Sequence, residues 1–136
     1  MKLNLNSKQL FRAGLAAGAA AAVVNIIIYL IMIGVGGHEW SVMIMGSILI
    51  ASLLPNLIAA LAYYGLARLT AKARLLLTIG VAAFVLISIL PHLGIGPAPS
   101  PALAALPEGF DLLTVPLHLV FGATAVFIMP WLAARN

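Results

Sequence analysis

Cysteine is absent from the 136 residues, which excludes disulfides, thiolate metal sites and thiol relays. Quinone-linked disulfide oxidoreductases are also small four-helix membrane proteins, and the lack of cysteine removes that class. Charge is nearly as scarce. Asp, Glu, Lys and Arg make up 7% of the chain, against about a quarter in a soluble domain, while 64% is hydrophobic. Such a composition cannot clothe a water-facing surface, so lipid is the main solvent. The three acidic residues, Glu39, Glu108 and Asp111, all lie between or at the ends of apolar runs. Proton-coupled export of the kind that depends on a glutamate within the first helix is therefore disfavoured, since that region offers Asn25 instead. His38, His92 and His118 are widely separated and have no cysteine to help them, so no metal site is expected.

What charge there is has been sorted. Lys2, Lys8 and Arg12 precede the first apolar run, Arg68, Lys72 and Arg74 separate the second from the third, and Arg135 follows the fourth. Glu39 separates the first from the second, and Glu108 and Asp111 precede the fourth. Basic loops stay cytoplasmic during insertion, so the expected protein is an all-α, integral membrane four-helix bundle, up-down-up-down, with both termini cytoplasmic. The expected spans are 13–34, 41–66, 75–91 and 112–132, joined on the outside by a long loop, 93–111. About 20 residues cross a bilayer core roughly 30 Å thick, so these use most of the chain and leave a single domain. A net charge of +4 does not imply nucleic acid, because the cations sit at helix ends without a basic stripe or interleaved aromatics. They suit anionic headgroups.

The first run exceeds the apolar region of a secretory signal, about 7–15 residues, and is read as a retained helix. Pro55 interrupts the second run, where a kink over Ala51 to Pro55 is expected. Pro97, Pro99, Pro101 and Pro107 make the outer loop extended, with room for one short turn over 102–106 after Ser100-Pro101. Asp111 or Thr114 would cap the fourth helix, with Pro116 near its first turn.

Helical spacing collects the small and polar residues into rows. Gly14, Gly18, Ala22, Asn25 and Tyr29 share one face of the first helix, and Ser52, Asn56, Ala60 and Tyr63 share one of the second. Gly80, Phe84, Ser88 and His92 form a row on the third, and Thr114, His118, Gly122 and Ala125 on the fourth. These faces are expected to touch, with Leu, Ile and Val turned to lipid. The Gly14 and Gly18 face would contact either a neighbour in the same chain or a second copy. Measured from the outer ends, His118 lies roughly 6–10 Å deep, Asn25 about 14 Å and Ser88 about 5 Å, so these could share an outer-half cluster with Tyr29. Asn56, about 23 Å down, would meet the backbone opened by Pro55 or a small residue of the first helix.

His118 is the sharpest candidate, because a titratable side chain within hydrocarbon is a functional hypothesis by default. A neutral imidazole bonded to Asn25, Ser88 or a carbonyl would be structural. With His92 as second ligand it could bind haem or another tetrapyrrole, and it could also handle protons or a substrate. Catalysis would need a second placed group, and the spans supply only amides and hydroxyls, so no enzyme is expected.

The alanine-rich first helix leading to Asn25, the sequence Ser88-Ile89-Leu90-Pro91, and His118-Leu119 followed by Pro130 resemble an uncharacterised family of small four-helix bacterial membrane proteins, a domain of unknown function common in actinobacteria. The resemblance implies the fold and a location in the bacterial inner membrane, but no activity or cofactor. Two functions stay open: an accessory subunit or self-associating bundle, and a binder or transporter of haem, pigment, quinone or a lipid-like molecule in an outer-half pocket around His118, Asn25, Ser88 and Tyr29.

Overall fold

The computed structural model describes residues 6–37, 39–96 and 110–135, and among these every regular element is helical. Helix α1 is Ser7–Gly36, α2 is Val42–Leu69 and α3 is Ala73–Ile89, extended by a 3-10 turn, Leu90–Leu93. The last helix, α4, starts as Phe110–Ala123, passes through a π-helical segment, Thr124–Ile128, and ends as Met129–Arg135. All four are long and apolar enough to cross a bilayer, and they form an up-down-up-down bundle. The expected turn over 102–106, His38, Glu108 and most of the 93–111 loop lie outside the described residues.

Helix α1 starts earlier than the expected 13 because Asn6 caps it. The Lys8 N–H donates to Asn6 Oδ1 at 3.0 Å, and the Asn6 N–H donates to Gln9 Oε1 at 3.3 Å, a reciprocal capping box. Apolarity marks only the membrane-crossing part, so the basic flank with Lys8 and Arg12 is helical too. Gly37, at φ 67°, ends the helix in the left-handed region, and its N–H donates to the Ile33 carbonyl. Helix α2 runs through Pro55 without a break, and Pro116 lies inside α4 rather than in its first turn, since α4 begins at Phe110. Helix α3 continues past Pro91 as the 3-10 turn, closed by Gly94 at φ 73°.

The closest approach is between α1 and α2. A Cβ added at Gly14 would sit 2.7 Å from Ala60 Cβ, and one at Gly18 would sit 3.0 Å from Leu53 Cα. Nothing larger than hydrogen fits there. The small-residue face of α1 around Gly14 and Gly18 thus packs against α2 of the same chain. At one end, Leu10, Ala60, Tyr63, Ala73 and Ala133 share a core cluster; at the other, Tyr29, Ile44, Ile48, Leu113 and Leu117 share a second.

Helix α3 turns a different face inward from the one its small residues suggest. Ala73, Leu77, Val81, Val85 and Ile89 are buried, while Gly80 and Phe84 are exposed and Ser88 and His92 are half-buried. The valines decide this, because a Cβ at Gly122 of α4 would meet Val85 Cγ2 at 3.1 Å. Glycine on α4 makes the hollow that valine on α3 fills, which leaves the Gly80 row beside the seam. Leu61, Leu86 and Phe127 are each more than 60% exposed, as lipid-facing side chains are.

Candidate functional site

Most polar residues of the helix interiors and seams fall into two groups with different geometry, one buried and one largely half-buried. The first is internal. Asn25 Nδ2 donates to Ser52 Oγ at 3.0 Å, joining α1 to α2, and Asn56 Nδ2 donates to the Ser52 carbonyl at 2.9 Å. Thr124 Oγ1 lies 3.2 Å from Asn56 Oδ1 and 3.0 Å from the carbonyls of Val120 and Phe121, to which its hydroxyl can donate. Asn25, Ser52, Asn56 and Thr124 are all buried, so this belt ties α1, α2 and α4 together at the core. Asn25 Oδ1 is buried with no hydrogen-bond partner among the described residues. The π-helical segment begins at Thr124, whose carbonyl accepts from the Met129 N–H five residues on. Its extra residue lets Thr124, Ala125, Met129 and Ala133 all stay on the buried side.

Tyr29 belongs to neither group. Its hydroxyl accepts from the Ser41 N–H at 3.0 Å, and its ring packs 6.1 Å from Trp40. Ser41 caps α2 through the Ile44 N–H at 3.4 Å, so Tyr29 fastens the turn between α1 and α2.

The second polar group lines a lateral groove of about 420 Å³ between α2, α3 and α4. Ser47, Ala51 and Pro55 come from α2, Phe84 and Ser88 from α3, His92 from its 3-10 turn, and Thr114 and His118 from α4. His118 Nδ1 donates to the Thr114 carbonyl at 2.8 Å. A carbonyl can only accept, so the neutral ring carries its proton on Nδ1 and its lone pair on Nε2. Pro55 has no N–H to give the Ala51 carbonyl, and both residues line the wall.

Below this groove lies another of about 330 Å³, lined by Pro55, Ala62, Leu66, Leu76, Gly80 and other apolar residues. The two share Pro55, Phe84 and Phe121. Phe84 meets Phe121 edge to face at 5.6 Å and approaches the His118 ring at 6.1 Å, which makes an aromatic waist where the grooves join. Gly80 has nothing within 4 Å of where a Cβ would stand, so its missing side chain widens the lower groove.

The expected cluster of Asn25, Ser88, His118 and Tyr29 is therefore divided. Ser88, His118 and His92 line one groove; Asn25 and Asn56 meet Ser52 in the interior, and Tyr29 holds a turn. Depth along the membrane normal cannot tell two sides of a helix apart, and α3 presents Ser88 away from α1. Asn56 bonds the Ser52 carbonyl rather than that of Ala51, because a helical side chain reaches back to the turn four residues before it. Thr124 carried no visible signal, because the π-helical segment arises from packing. No group of histidine and acidic side chains suited to a metal occurs among the described residues. Comparison with protein-family models, curated proteins and solved structures finds no match, so the site is read from its own geometry.

Proposed function

We propose that this chain is a non-enzymatic binding protein of the bacterial inner membrane that holds a lipid-like small molecule in the groove around His118. The carrying observation is that His118, fixed through Nδ1 on Thr114, offers Nε2 on a side chain that lines a groove open to the bilayer. The interior belt, by contrast, spends its polar atoms on helix packing. The segregated charges favour cytoplasmic termini, with the His92 end of the groove outward. This reading is compatible with membership of the small four-helix family that the sequence resembles. A non-enzymatic role is supported by the described neighbours of His118 in the groove, which are hydroxyls, aromatic rings and a second imidazole.

The test is extraction and mass analysis of small molecules that co-purify with the protein from native membranes. A species retained by the wild type and lost from His118→Leu, with the variant still folded, supports the groove. Identical extracts from both would sink it. A tetrapyrrole is the second reading, favoured by His92 and His118 lining one groove on different elements. A visible absorption band that vanishes in either histidine variant would establish it. It is the weaker reading for haem, because among the described residues no Lys or Arg lines either groove to pair with carboxylate side arms.

A further inference from the structure

The two grooves together describe the shape and polarity of an occupant. The lining of α3 runs from Leu76 to His92, roughly 24 Å at about 1.5 Å per residue. One leaflet of the hydrocarbon core is only about 15 Å deep, half of roughly 30 Å, so an acyl chain of a phospholipid would leave much of this track unfilled. Polar side chains are confined to one end. Ser47, Ser88, His92, Thr114 and His118 line the upper groove, whereas the lower one is lined by aliphatic side chains, Pro55, Gly80 and the two phenylalanines. Among the described residues no charged side chain lines either groove, so the usual partner of a phosphate head is not among them. Beside hydroxyls that can donate or accept, the polar end holds one obligate acceptor, His118 Nε2, which calls for a ligand that donates there. The rings of Phe84, Phe121 and His118 suit a flat aromatic head.

Resting on the groove reading above, we propose that the occupant is a prenylated quinol: its hydroxylated ring lies beside His118, and its isoprenoid tail passes the Phe84–Phe121 waist into the lower groove. No electron transfer is involved. The reduced form is selected because its hydroxyl donates to Nε2, whereas the oxidised ring has carbonyls alone and meets a lone pair with a lone pair. The tail is selected by the space that Gly80 leaves open.

The experiment is anaerobic titration of the purified full-length protein in detergent, with bound fractions read by native mass spectrometry. The probes are a long-tailed prenyl benzoquinol, the same head on a single prenyl unit, the long-tailed benzoquinone, and a long polyprenol lacking the ring. The long-tailed quinol is expected to bind about tenfold more tightly than the quinone, the worth of one hydrogen bond in a dry site. His118→Leu should erase that preference. Gly80→Leu, at a position where an added side chain meets open space, should bring the long-tailed quinol down to the affinity of the short one. Should His118→Leu fail to fold, the quinol-to-quinone ratio of the wild type and the Gly80→Leu result decide the matter. Equal binding of quinol and quinone, or polyprenol binding as tightly as quinol, overturns the proposal. If none of these probes binds but native extraction still yields a species dependent on His118, the quinol is wrong and the groove reading stands. If nothing binds and nothing co-purifies, both fall.

Discussion

Ser52 is the residue on which the interior turns. Its hydroxyl accepts from Asn25 and its carbonyl accepts from Asn56, so one position on α2 serves both amides. Replacing it with alanine removes the partner of Asn25 Nδ2 while leaving the Asn56 bond, which goes to backbone. Asn25 Oδ1 already has no partner among the described residues, so the whole buried amide would then be unsatisfied. The expected loss for Ser52→Ala is about 1 kcal/mol, between the average of about 0.6 and the maximum of about 1.7 for hydrogen bonds between membrane helices. Thr124→Val keeps the shape and removes only the hydroxyl, with a similar or smaller expected loss. A double-mutant cycle in detergent unfolding checks whether the belt is one network. Additive losses would mean that the α1–α2 and α2–α4 bonds act independently.

At the scale of the element, α1 and α2 are joined by the absence of side chains and α3 and α4 by their fit. Gly14→Val places branched carbons where even a Cβ stands 2.7 Å from Ala60, and overpacking of this kind costs about 1–3 kcal/mol. The midpoint of thermal or denaturant unfolding should fall accordingly. The same change at Gly46 or Gly80, where nothing lies within 4 Å, should leave it nearly unchanged. A loss at Gly80 equal to that at Gly14 would contradict the close approach of α1 and α2. The row of small residues on α1 was legible in sequence as a packing face because close backbone approach needs such a row. The corresponding row on α3 misled, because Gly122 on the neighbouring helix accepts Val85, and sequence spacing on one helix holds no record of the hollow on another.

For the whole molecule, the charge pattern and the helical boundaries make a joint prediction about sidedness. Arg68 lies over the Tyr64 ring at 4.4 Å and Arg135 over Trp131 at 3.7 Å, both at the basic end, while Trp40 packs on Tyr29 at the opposite end. Such pairs sit well at a membrane interface, with a cation toward water and a ring toward lipid. Since the natural chain lacks cysteine, single replacements can be labelled without background. A membrane-impermeant maleimide applied to intact cells should label Gly37→Cys, and should label Lys72→Cys only after permeabilisation. The reverse pattern would invert the orientation read from Lys and Arg.

The sequence by itself determined the class and the number of helices, because scarce charge and four apolar runs leave a chain no other way to satisfy its backbone in lipid. It also determined which residues are small or polar and how they are spaced along each helix. Only the tertiary structure decided how those residues are partnered. The rotation of each helix about its axis depends on the shapes of its neighbours, and that rotation sent Asn25 to Ser52 while leaving Ser88 and His118 on a lateral groove. The site exists between helices, where no single periodicity reaches.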